Sequence, residues 1–101
     1  PLMVFYDKIT SLYINNNQIE KAIEYQSKII EISNRKEFSY VKRAELHNIN
    51  GAVNAALQDL NSAKNAIAKL PKSKQNYSAI LNLSNKIKET ELILNRQNQV
   101  K

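Results

Sequence analysis

The chain has no cysteine, a single glycine, a single histidine and two prolines among 101 residues. Without cysteine there are no disulfides, thiolate zinc sites, iron–sulfur ligands or thiol nucleophiles. One glycine rules out a glycine-rich phosphate loop and argues against many strands joined by tight hairpins. Neither a nucleophile elbow nor an HExxH pattern is present. No apolar run approaches the roughly 20 residues of a membrane-spanning helix. The N-terminus lacks the basic flank and long apolar stretch of a secretory signal. Acidic side chains are scarce at one end. Residues 1–63 carry seven basic and seven acidic groups, whereas residues 64–101 carry eight basic and two acidic. The whole net charge of +6 therefore sits in the last third.

What is abundant suits helices. Hydrophobic residues make up 43% and charged residues 24%, the balance of one globular domain. Apolar residues recur at spacings of three and four, as in Ile9, Leu12 and Tyr13 or Ile19, Ala22 and Ile23. Four breaks interrupt this periodicity: Asn15–Asn17, Ser33–Asn34, Asn50–Gly51 and Pro71. Asparagine and glycine tolerate the left-handed conformation that ends helices, and proline cannot continue one. The pattern predicts helices near 3–15, 18–33, 36–49, 52–69, 73–84 and 86–98, with no strand.

The breaks repeat at one interval. Ala22 and Ala56 are 34 residues apart. That offset superposes Asn17, Gly51 and Asn85, then Ile19, Val53 and Ile87, then Thr10, Ala44 and Ser78, then Leu12, Leu46 and Ile80. Three such copies, at about 3–36, 37–70 and 71–101, fill the chain. In these residues the chain resembles the tetratricopeptide repeat (TPR) family. The middle copy carries the resemblance best, in Tyr40, Ala44, Gly51, Val53, Ala56, Leu60 and Ala63. The third is degenerate, with Lys74, Thr90 and Gln97 at motif positions. Its helix can run through Asn85 as one long helix.

The resemblance implies an all-α fold of antiparallel helix pairs stacked as a right-handed superhelix, an α-solenoid. It also implies a concave groove, lined by the first helix of each pair, that binds a protein or peptide. Carried over position by position, the partner-binding residues are Lys8, Ser11 and Asn15 in the first copy. They are Phe38, Val41, Lys42, Glu45 and Asn48 in the second, and Lys72 and Asn76 in the third. Asp7, Ile49, Gln75, Ala79 and Leu83 fall on the same faces. One branch of the family clamps a C-terminal carboxylate through Lys, Asn, Asn, Lys and Arg. The matching positions here are Asp7, Ser11, Lys42, Lys72 and Asn76. Only Lys72 agrees, so that clamp is not expected.

The expected function is therefore protein–protein interaction, as an adaptor or regulatory part of a larger protein. The partner is acidic if Lys8, Lys42 and Lys72 contribute. Two alternatives stand beside it. The basic last third suits a nucleic-acid-binding helical module, and exposed Leu92 and Leu94 on an end helix suit self-association. Among the tyrosines, Tyr25 is expected to be the most exposed. His47 reads as a packing residue with a polar edge. Glu20 and Glu24 sit beside Lys21 and Lys28 on a solvated helix face. No enzymatic activity, cofactor, metal or membrane association is expected, and the cytoplasm is the expected compartment.

Overall fold

The expected breaks are where the helices end. The computed structural model describes residues 1–100; Lys101, counted above in the basic last third, lies outside the described residues. Four helices of similar length come first: α1 (Leu2–Asn15), α2 (Ile19–Ile32), α3 (Lys36–Ile49) and α4 (Val53–Ala68). A single turn of helix, α5 (Lys72–Gln75), precedes the long α6 (Ser78–Val100). No strand occurs among the described residues.

The two inner turns are built alike. Asn17 has φ 62° and Gly51 has φ 80°, both left-handed. At the first turn, the Gln18 N–H donates to Tyr13 O at 2.8 Å and the Asn17 N–H to Ile14 O at 3.0 Å. At the second, the Ala52 N–H donates to His47 O at 2.8 Å and the Gly51 N–H to Asn48 O at 3.0 Å. Each is a Schellman cap, which satisfies carbonyls that the helix leaves unpaired. A Cβ added at Gly51 would meet nothing within 4 Å. The constraint there is backbone strain, not space. Gly51→Val is accordingly expected to cost about 1–2 kcal/mol, while Asn17→Gly stays within a few tenths. Urea denaturation of both variants checks this, and equal small effects would contradict it.

Packing runs along the chain. Helix α1 packs on α2, α2 on α3, α3 most extensively on α4, and α6 on α4. Small residues make the close contacts: Ala22, Ala56 and Ala63 are fully buried and Ala44 nearly so. Gln26 is buried between α2 and α3, where its Nε2 donates to Ser39 O at 3.1 Å. Tyr25 is not the exposed tyrosine. Its ring stacks on Tyr13 at 5.7 Å and tilts against Tyr6 at 5.9 Å, joining α1 to α2. Tyr77 is the exposed one.

The third segment departs from the repeat. Asn85, superposed on Asn17 and Gly51, lies inside α6 rather than in a turn. Asn17 follows two other asparagines and Gly51 follows Asn50, whereas Asn85 stands alone between helix-compatible neighbours. One isolated asparagine lowers helix propensity by well under about 1 kcal/mol. Continuing the helix keeps Ile80, Leu83, Ile87 and Leu94 on one buried stripe, most of it in the core with Ala56, Leu60 and Ala63. Helix α6 runs antiparallel to α4. Lys64 pairs with Glu91 at 2.7 Å, and the Asn98 amide reaches Asn54 at 3.1 Å. Leu94 is thus core, while Leu92 and Ile93 remain exposed. No helix among the described residues is long and apolar enough to cross a membrane.

Candidate functional site

Ser33 ends α2 in extended conformation, and its buried hydroxyl accepts the Arg35 N–H at 3.0 Å. This short bridge sets Arg35 at the start of α3. The Arg35 guanidinium then lies over the Phe38 ring, 4.7 Å from its centroid, within cation–π range. Opposite, Pro71 opens the turn that carries α5. Its carbonyl accepts from Lys74 and Gln75, and the Gln75 amide donates to Leu70 O at 2.8 Å. The Tyr77 carbonyl accepts from the Ile80 and Leu81 amides in the first turn of α6, which fixes Tyr77 at the head of that helix.

These two corners enclose adjoining depressions. A shallow one is bordered by Ser33, Arg35, Phe38, Ser39 and Ala79. A deeper recess of about 200 Å³ is lined by Asn34, Arg35, Glu37, Leu70, Lys74, Tyr77 and Ile80. Arg35 borders both, so the two depressions adjoin at the N-terminal end of α3, and the pair is called the furrow. Glu37 is 3% exposed, and among the described residues its side chain makes no hydrogen bond or ion pair.

The partner-binding residues expected from the sequence divide between separate surfaces. Lys8 and Ser11 are exposed on α1, beside a wide depression with Val4, Asp7 and Leu12, and Asn15 is exposed at the end of that helix. Neither depression of the furrow includes an α1 residue. Phe38 is half-buried, with one side against the core and one on the furrow. Val41 is corrected: at 3% exposure it belongs to the core with Ala44 and Leu60, because its face of α3 meets α4. Leu83 is core for the same reason on α6. Lys42 is exposed, and Glu45, also exposed, takes Lys86 of α6 at 3.3 Å. Asn48 is half-buried, with its carbonyl engaged in the Schellman cap. Lys72 and Asn76 are exposed at the two ends of α5. The repeat register missed Lys74 and Tyr77, because α5 and the start of α6 replace the helix expected from residue 73, and it missed Asn34 and Glu37, which lie at the α2–α3 junction outside the groove positions.

A second polar cluster lies inside the helix stack. Arg43 of α3 grips Asp59 of α4 with both ends of its guanidinium, at 2.7 Å for Nε–Oδ2 and 2.7 Å for Nη2–Oδ1. Its third nitrogen donates to Ser27 Oγ of α2 at 3.1 Å, and its plane stands 5.8 Å from the Tyr40 ring. The hydrogen bond to Asp59 raises the Arg43 pKa against the opposing effect of burial. His47 Nε2 lies 3.6 Å from Asp59 Oδ2, the oxygen that also accepts from Arg43 Nε. This is a packing position with a polar edge, and the edge faces Asp59. No local pattern announces the pair, since Arg43 and Asp59 are 16 residues apart. The cluster ties three helices together. Among the described residues, no group of three histidine, aspartate or glutamate side chains is placed to hold a metal ion. Comparison with protein-family models, with curated proteins and with solved structures finds no match for this chain.

Proposed function

We infer that the chain is a helical-repeat interaction module, related in design to the TPR proteins, which binds a segment of a partner protein. The observation that carries this reading is the furrow across the start of α3. It sets the apolar surface of Phe38, Leu70 and Ile80 beside the polar groups of Arg35, Asn34 and Lys74. Apolar walls drive desolvation, and the few polar groups set register. The resemblance to the TPR family adds support through the paired Schellman turns 34 residues apart and the buried alanines Ala22, Ala44 and Ala56. Such a module serves as an adaptor or regulatory part of a larger protein. The nucleic-acid reading is weaker, because two of its basic residues are occupied: Lys64 holds Glu91 and Lys86 holds Glu45.

Phe38→Ala is expected to weaken binding of a furrow-binding peptide by about 1–3 kcal/mol. Phe38 also touches the core, so Tyr77→Ala is the companion variant. Tyr77 is 58% exposed, and its loss should lower affinity with little change in stability. Calorimetric titration and urea denaturation of both variants separate the two effects. Unchanged affinity in both would refute the furrow. RNA binding that falls steeply with salt, and is lost in Lys88→Glu and Arg96→Glu, would favour the basic face instead.

A further inference from the structure

Glu37 is the anomaly of the furrow. The other acidic residues are either exposed or matched: Asp59 by Arg43, Glu91 by Lys64, Glu45 by Lys86. Glu37 alone is buried without a partner among the described residues. Taking a carboxylate out of water is strongly unfavourable unless a counter-charge replaces the lost hydration. Its place in the first turn of α3 brings the helix dipole to bear on it. A dipole without a donated hydrogen bond still leaves its lone pairs unmet. The one fully sealed, unpartnered side-chain atom among the described residues is Gln26 Oε1. The Glu37 carboxylate therefore keeps an opening, and the space it borders is the 200 Å³ recess.

The rest of the lining narrows the ligand. The recess is smaller than the roughly 300–1,000 Å³ of sites for drug-sized molecules, so it suits one side chain. Leu70 and Ile80 line it with aliphatic surface and Tyr77 offers an aromatic wall. An apolar stem with a cationic tip matches all three features. The lip carries the opposite charge. Lys74 and Arg35 are exposed there, and Arg35 is drawn over Phe38 rather than toward Glu37. A bare cation would be repelled at the entrance, whereas acidic neighbours on the same segment would pair with both.

Building on the partner-segment reading above, we propose that this recess receives one lysine or arginine side chain of a partner protein. The residues flanking it in the partner are acidic. Glu37 is the counter-ion inside, and Arg35 and Lys74 hold the flanking carboxylates at the lip.

The test is selection of peptides from a random-sequence display library against the intact protein. Selected peptides should share one basic residue between acidic ones. Replacing that residue by norleucine should weaken binding about tenfold, equivalent to about 1.4 kcal/mol. Glu37→Gln should weaken the parent peptide equally and leave the norleucine peptide unaffected, closing a double-mutant cycle. Circular dichroism should show Glu37→Gln folded and at least as heat-stable as the parent. Selected peptides without a basic residue, or norleucine peptides that bind equally well, would overturn this proposal and leave the furrow reading standing. Equal destabilisation by Glu37→Gln and Lys74→Ala would also overturn it, by showing an internal pair. Failure to select any peptide would overturn the furrow reading as well.

Discussion

Replacing Asp59 by alanine is expected to lower the unfolding free energy by about 3 kcal/mol. Asp59 is 4% exposed, and its carboxylate accepts two charge-assisted hydrogen bonds from Arg43. Its removal leaves a guanidinium without its counter-ion, and that residual charge dominates the loss. The Arg43 side chain retains 24% of its exposure, so partial hydration holds the loss to the lower end of the range for buried pairs. Arg43→Met combined with Asp59→Leu should recover most of the stability, because two apolar side chains strand no charge. Denaturation of the single and double variants measures the coupling directly. Loss of peptide binding in Asp59→Ala with stability unchanged would contradict this structural role and move the cluster into the binding site.

Why this cluster escaped the sequence while the helix boundaries did not is a matter of range. A helix end is decided by a few adjacent residues. Asn15–Asn17, Asn50–Gly51 and Pro71 each carry a local conformational constraint, so α1 to α4 end close to where the pattern placed them. The buried alanines were legible because small residues at a fixed interval mark close helix contact. The Arg43–Asp59 pair joins α3 to α4, and nothing near either residue announces the other. Glu37 was masked in another way. A glutamate in the first turn of a helix is what the dipole favours, so it reads as ordinary. The recess it borders is completed by Leu70 and Ile80 from later in the chain. Val41 and Phe38 lie three residues apart, and the repeat register put both on one surface. The fold splits them, because Val41 faces α4 while Phe38 sits at the edge of that contact.

Asn85→Pro is expected to cost about 3 kcal/mol or more, the penalty of proline in a helix interior. Two models of the last third differ most at this residue. In the 34-residue register Asn85 is a turn residue, equivalent to Asn17 and Gly51, whose left-handed backbone disfavours a residue such as alanine by about 1–2 kcal/mol. In the structure it is the eighth residue of a 23-residue helix. There proline removes the amide that bonds back to the carbonyl of Leu81, and its ring collides with that carbonyl. The damage extends beyond one hydrogen bond. Ile87 and Leu94 follow the substitution and are fully buried. A kink at 85 swings both away from the core they share with Ala56, Leu60 and Ala63. It also separates Glu91 from Lys64 and Asn98 from Asn54, although those exposed contacts add little. The expected readout is a lower urea midpoint with loss of helical circular dichroism, because α6 would fray from the kink onward. Asn85→Ala separates the two models: inside the helix it should raise stability by a few tenths of a kcal/mol, whereas a loss of about 1 kcal/mol or more would mean that the chain turns at Asn85 in the left-handed conformation and that the third repeat is a helix pair after all. The start of α6 would then lie elsewhere, and with it Tyr77, Ile80 and the wall they give to the furrow.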